Sequence, residues 1–353
     1  MADTTILYSN ISGILNTAFE PQITTQLNRA TVLARLLPKK PAIGKAVNWV
    51  ARVDGTTNNT AGAVSDGASV TTHDYDVKVQ ASLQYCTYSD AISLGGRAIM
   101  AALNSGGPDA LVDLLGEEVE NAIERVAQAI NTDLYTGSGG TSPETLAGLS
   151  GLAIDNSASY AGIARTGGGS YATWQSTVNA NGGVSRALSL QLMRDVRRSI
   201  FVACGQKPDL IVCDPIQHEA YGNLLGANRR YVQEVQMNGQ MIKLDGGYQA
   251  LEFDGIPVIE DKDAPSGRMF FLNTRYINLR VLPDAMQRIA GGTNGMAEIQ
   301  GNEEEQLGGG PLGLSARIQP LAINGDARPF QLLTYLQLQV QRPNACGVLK
   351  DLS

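Results

Sequence analysis

Histidine is nearly missing from this chain of 353 residues: only His73 and His218 are present, which leaves few side chains suited to proton transfer near neutral pH. Cysteine is scarce too. Cys86, Cys204, Cys213 and Cys346 lie far apart with no CxxC pair, which argues against a zinc site or a disulfide framework and fits folding in a reducing cytoplasm. Positive charge falls short, with 27 Lys and Arg against 34 Asp and Glu, for a net charge of -7. An acidic chain gains nothing from counterion release on a polyphosphate, so nucleic-acid binding is not its overall design. The small basic clusters, Arg194 with Arg197 and Arg198, and Arg229 with Arg230, read as solvated or pairing faces rather than a phosphate track. No apolar run approaches the roughly 20 residues that span a bilayer. The start, MADTTILYSNISG, lacks the basic region and apolar core of a signal peptide. The expectation is a soluble cytoplasmic product with no membrane partner.

Motifs for chemistry are as thin. GSGGT and GGTNG are not followed by the Lys-Ser/Thr that a phosphate loop needs, and no GxGxxG follows a strand. Cys213 lies five residues before His218, which suggests a thiolate–imidazole pair and a Cys-dependent hydrolase. Cys213 ends an apolar strand, however, and His218 falls on the next helix, where a buried, inert thiol is the commoner case. The stretch GIPVIEDKDAPSGRMFFLN, Gly255 to Asn273, offers Glu260, Asp261 and Asp263 as a divalent-ion or acid/base group. Its flanks, Ile256 and Val258 before and Met269, Phe270 and Phe271 after, read as the two strands of a hairpin, with Asp263 to Gly267 as the turn. On that reading the carboxylates sit on a wet tip. The chain is expected to have no catalytic, cofactor-binding or metal-ligating residue, and no cofactor.

What is present is glycine, 39 of them, and a set of parts that do not bury themselves. The spacing predicts a short amphipathic helix over Thr24 to Leu37, with Leu27, Val32, Leu33 and Leu36 as its apolar stripe and Pro38 and Pro41 as its stop. Two strands follow. Val47, Trp49, Ala51 and Val53 share one face of the first; Val77, Val79, Ala81, Leu83 and Tyr85 share one face of the second. Between them DGTTNNTAGAVSDGAS has almost nothing to bury, and a two-stranded ribbon is marginal alone in water. The ribbon is therefore expected to need a surface other than its own core.

Residues 107–137 predict the longest helix, with Leu111, Leu115, Val119, Ala122, Ile123, Val126, Ile130 and Leu134 at steps of three and four, Pro108 in the first turn and Gly137 after the end. Its other face carries Glu117, Glu120 and Glu124. A Gly/Ser/Thr-rich connector follows, GSGGTSPETLAGLSGLAID, and a mixed α/β region begins near Trp174. There Ser189 caps a helix carrying Leu192, Met193, Val196 and Ile200 and closed by Gly205, Leu210 to Cys213 form a buried strand, and Asp214-Pro215 opens another helix. After the acid-rich segment come the strand YINLRVL, a loop from Gly291 to Gly310, and FQLLTYLQLQVQRP, in which Phe330, Leu332, Leu336, Leu338 and Val340 alternate with glutamines.

This order of parts resembles the major capsid proteins of tailed bacteriophages, the Hong Kong 97 type. The matches are TDLYTGSGG…LAGLSGLAI at the helix end, FDGIPVIEDKDAPSGRMFFLN, and KPDLIVCDP followed by a helix. The likeness runs over nearly the whole chain. It implies an α+β fold with residues 1–44 as an N-terminal arm and 45–96 as an extended β-hairpin loop. Residues 97–145 with 305–353 would form a peripheral domain bearing the long spine helix, and 146–304 an axial domain with Gly291 to Gly310 as candidate axial loop. The implied function is a shell subunit assembling into the pentamers and hexamers of an icosahedral head around double-stranded DNA, in virions built in the host cytoplasm. It further implies a portal, a possible decoration protein and, since the chain begins almost at the arm, a separate scaffolding protein. Some members of the family weld the shell through a lysine on the extended loop. The tip here, Asp54 to Ser69, has none, with Lys45 and Lys78 on or beyond the strands, so no such cross-link is expected. An encapsulin-like nanocompartment shell on the same fold is the alternative, and the Cys213–His218 hydrolase the third reading.

Overall fold

The computed structural model describes residues 31–53, 65–66, 78–97, 100, 121–140, 144–156, 159–166, 171–225, 231–232, 234–237, 240–243, 250–282, 317–320 and 327–353. Helix α1 (Val32–Leu36) leads into strand β1 (Lys39–Pro41) and a ribbon of β2 (Ala46–Arg52) and β3 (Lys78–Gln84), after which β4 (Cys86–Gly95) begins. Residues 121–136 are helix α2. Next come β5 (Thr177–Asn179), helix α3 (Leu190–Cys204), β6 (Leu210–Cys213), helix α4 (Pro215–Leu225), β7 (Tyr231–Val232) and the hairpin β8 (Glu234–Met237) with β9 (Gln240–Lys243). The chain closes with β10 (Ala250–Phe253), β11 (Ile256–Glu260), β12 (Met269–Leu272), β13 (Ile277–Val281), β14 (Arg317–Pro320), β15 (Ala327–Val340) and β16 (Gly347–Leu349).

Strand β15 is the axis of the first sheet. β4 runs antiparallel along one edge, from Ala327 opposite Gly95 to Leu336 opposite Cys86. β14 and β13 share the other edge, and β1 adds to β13 in parallel. Leu332, Leu336, Leu338 and Val340 are buried as the alternation predicts, but so are Gln337 and Gln339 on the opposite face. Burial of an amide requires partners. Gln337 accepts from the Ala147 amide at 3.0 Å and donates to the Gln84 carbonyl at 2.6 Å, and Gln339 accepts from Arg280 Nε at 2.8 Å.

The second sheet has the order β5-β16-β12-β6-β11-β10-β7. Strands β6, β11, β12 and β16 are covered on both faces, which is why they read as continuous apolar runs. Leu210, Val212, Ile259, Phe270, Leu272 and Val348 join one large core with α1, α2, the ribbon and the first sheet. Ile211, Cys213, Ile256, Val258, Met269 and Phe271 face the other way, into a smaller core under α3 and α4. Helix α3 forms as its sequence predicts. The Ser189 side chain accepts from the Leu192 amide at 3.3 Å, Met193, Val196 and Ile200 are buried, and Gly205 ends the helix at φ 74°.

Several expectations are corrected. The strands β11 and β12 do not form a hairpin, because β6 lies between them, parallel to β11 and antiparallel to β12. The hairpin partner of β11 is β10, joined through Asp254 and Gly255 at φ 57° and 83°. The ribbon stem is not unsupported. Trp49 sits against Tyr160, with ring centroids 6.4 Å apart, the Ser82 amide donates to the Ala161 carbonyl at 3.0 Å, and Ala51, Val53 and Ala81 enter the large core. Val50 stays exposed on the ribbon's outer face.

The glycine-rich stretch after α2 is no loose connector either. It folds back so that a Cβ on Gly148 would lie 2.5 Å from the Asp133 carbonyl oxygen, and one on Gly151 2.2 Å from that of Gly137. Leu149–Ala153 form a buried turn of π-helix there. Of the first predicted helix, Thr24 to Ala30 lie outside the described residues, as do the long helix before Asn121, the ribbon tip apart from Ser65 and Asp66, Arg229 with Arg230, and the Gly291–Gly310 loop.

Candidate functional site

The acid-rich segment turns out to be a buried joint. Strand β11 delivers Asp261 one residue past its end, where the side chain is 1% exposed. Its Oδ2 accepts from the Tyr135 hydroxyl at 2.9 Å and from the Leu33 amide at 3.1 Å; Asn131 Nδ2 reaches both oxygens at 3.2 Å, and the Asp263 amide reaches Oδ1 at 3.0 Å. Asn131 Nδ2 also donates to Asp263 Oδ2 at 2.6 Å, and Gln128 Nε2 to both Asp263 oxygens at 2.8 and 2.9 Å. Lys262 Nζ lies 3.1 Å from Asp263 Oδ1.

Physical need explains the arrangement. The first amides of a helix have no intrahelical acceptor, and Thr31 gives α1 no side-chain cap. Asp261 takes the Leu33 amide, and Asn131 Oδ1 takes that of Ala34 at 3.1 Å. A carboxylate at a helix start also meets the positive end of the helix dipole. Gln128, Asn131 and Tyr135 stand at steps of three and four on α2, so one stripe of that helix faces the segment. Tyr135 continues into the core against Phe270, with ring centroids 5.6 Å apart. The wet tip of the sequence reading is thereby corrected: donors from α1 and from α2 come to the carboxylates and make their burial possible.

Chemically the joint is closed. Burial pushes the Asp261 carboxyl above its usual value, against the pull of its donors, and drives the Tyr135 hydroxyl well above its own. Both Asp261 oxygens are engaged, so the pair is built to hold chain segments together, not as an open ligand set. Among the described residues no group of three or more His, Cys, Asp or Glu is placed to hold a metal ion. Glu260, the third carboxylate, points away and meets His218 Nδ1 at 3.5 Å. Cys213 is fully buried with its thiol against the Ile259 carbonyl at 3.7 Å, and desolvation pushes it well above the ordinary thiol range. A thiolate nucleophile needs the opposite environment.

The other candidate surfaces are outward-facing. Helices α3 and α4 cover the same face of the second sheet, and each turns large apolar side chains to solvent: Phe201 at 50% and Val202 at 80% on α3, Ile216 at 60% and Leu224 at 43% on α4. Among the described residues no helix is long and apolar enough to cross a membrane.

Residues 10–308 match the SU10 major capsid protein family. The chain belongs to that family. It is a major capsid protein of a tailed phage, with the Hong Kong 97-type capsid fold. The capsid asymmetric unit of cyanophage A-1(L) is similar at 20% identity and a TM-score of 0.73, over 97% of this chain and 98% of that one. The capsid of a native GTA particle shows 12% identity and a TM-score of 0.61, over 100% of both chains. An encapsulin of Synechococcus elongatus PCC 7942 shows 14% identity and a TM-score of 0.55, over 99% of this chain and 96% of that one. These likenesses are of fold. None of the curated proteins compared matches the capsid protein. Copies of it form an oligomeric shell, and its place is the virion.

Sequence reasoning missed Gln128, Asn131 and Tyr135. The signal was legible: a polar stripe at helical spacing, running beside the buried one of Ala127, Ile130 and Leu134.

Proposed function

We propose that this capsid protein assembles into the pentamers and hexamers of an icosahedral head enclosing double-stranded DNA, in the host cytoplasm, with a separate scaffolding protein, a portal and a possible decoration protein. Residues 1–44 serve as arm, 45–96 as extended loop, 97–145 with 305–353 as peripheral domain and 146–304 as axial domain. The protein carries no enzymatic activity, cofactor or metal, and no side chain of it has a catalytic role. The reading is carried by the match of residues 10–308 to a capsid family. Consistent with it, large apolar side chains are exposed at several places among the described residues: Ile43 and Val50 in and before the ribbon, Met100, Val184, and Phe201, Val202, Ile216 and Leu224 on the helices. Patches of that kind mark contact with other chains. The net charge of -7 suits a container that must not grip its genome.

Expression of the protein alone or with its scaffold, followed by electron microscopy, is expected to show shells, tubes or capsomer rings. A sample that stays a compact monomer across salt and pH overturns the proposal. The encapsulin alternative has only a likeness of fold behind it.

A further inference from the structure

Helices α3 and α4 each carry an outer strip in which apolar and charged residues are ordered. On α3, steps of three and four align Gln191, Arg194, Arg198 and Phe201, with Val202 beside them, opposite the buried Met193, Val196 and Ile200. Lys207 is exposed just beyond the helix end. On α4 the corresponding strip is Ile216, Glu219 and Asn223, on the side away from the buried Tyr221, with Leu224 exposed in the last turn of the helix. Glu260, its side chain 45% exposed, adds a second carboxylate next to His218 on that helix. The α3 strip is therefore apolar with a basic rim and the α4 strip apolar with an acidic one. Asp195 neutralises Arg198 at 2.8 Å, which leaves Arg194 and Lys207 as the uncompensated charges of the first strip among the described residues.

We infer that the α3 strip of one copy docks on the α4 strip of the next copy around a capsomer ring, with Phe201 and Val202 packed against Ile216 and Leu224 and Arg194 facing Glu219. This rests on the capsid reading above and deepens it. A ring requires two different patches on every subunit that fit one another, whereas one self-complementary patch closes a dimer and stops. The charges disfavour like strips meeting. Pairing α3 with α3 sets Arg194 against arginine, pairing α4 with α4 sets Glu219 against glutamate, and like charges in contact are strongly disfavoured. The mixed pairing satisfies both strips. It also gives each apolar pair a charged border, the anatomy of a specific interface.

Three variants, each adding one cysteine on a Cys204→Ser background whose remaining thiols are buried, test the pairing. Val202→Cys is mixed with Ile216→Cys in one sample and with Leu224→Cys in another, which covers both directions of helix crossing; each mixture is assembled and oxidised. Disulfide dimers are expected in a mixture and not in any variant alone. A chain carrying both cysteines separates the two mixed arrangements: a ring links it into multimers, whereas a reciprocal two-fold pair stops at dimers and overturns the inference. Phe201→Ser with Val202→Ser is expected to raise the concentration needed for assembly about tenfold, the loss of an interface anchor, while its circular dichroism and melting stay those of the parent. Dimers formed by Val202→Cys alone overturn the inference, as do assembled particles that form no disulfide in either mixture. So does a Val202→Cys thiol that still reacts with maleimide in particles, which would give the α3 strip to another partner. Failure of the parent chain to assemble at all is seen before any variant and refutes the capsid assembly reading instead.

Discussion

Asp261 takes hydrogen bonds from residues in α1, in α2 and in its own loop. Replacing it by Asn puts an NH2 group among donors, and Asp261→Asn is expected to lower stability by about 1–3 kcal/mol, read by urea unfolding. The pH dependence has a definite sign. The folded pKa is raised above the value of 3.8, so the stability contributed by this group is complete below its unfolded pKa and is lost as pH rises through the folded one. The gap between wild type and Asp261→Asn is thus larger near about pH 4 than near about pH 7. Asp209 and Asp214, also raised by burial, cancel in that difference. The opposite slope would show that the donors outweigh burial. Gly151 is as demanding for a steric reason, since a Cβ there would sit 2.2 Å from a backbone oxygen of Gly137. Backbone on both sides cannot yield cheaply, and Gly151→Ala is expected to cost about 3 kcal/mol or more and to show as insoluble expression. For the thiols, reagents are expected to label half-buried Cys204 first and Cys86, Cys213 and Cys346 only on unfolding.

At the level of elements, what the sequence disclosed depended on how local the deciding contacts are. Helix α3 was legible in full because its cap at Ser189, its stop at Gly205 and its stripe of Met193, Val196 and Ile200 all lie within it. The strands β11 and β12 were legible as strands but not as partners. Turn residues between two apolar runs suggest a hairpin, and nothing local announces that Leu210–Cys213 inserts between them. Asp261 was misread for the same reason, because its donors come from Leu33, Asn131 and Tyr135, far away in sequence. The ribbon's two faces were correct, yet the loop around Tyr160 that covers one of them carries no periodic signal. That contact is testable through one amide. Ser82 donates outward from the ribbon to Ala161, so Trp49→Ala is expected to speed hydrogen exchange at Ser82 while the β2–β3 ladder amides keep their protection.

For the whole molecule, large apolar side chains are exposed at several places among the described residues: Ile43 and Val50 in and before the ribbon, Met100, Val184, and four on α3 and α4. A subunit with several exposed apolar surfaces builds extended arrays from contacts that are individually weak. With no lysine between Asp54 and Ser69, the array is expected to hold without covalent welding. Particles boiled in SDS should run as a single monomer-sized band, and a ladder of multimers would contradict this.

The seat of α1 has a mechanical meaning. Because the amides of Leu33 and Ala34 are fastened to Asp261 and Asn131, a load on Val32 is shared between the covalent thread toward Pro38 and these two bonds, which pass part of it into α2 and the end of β11. Both must give before α1 lifts from its seat.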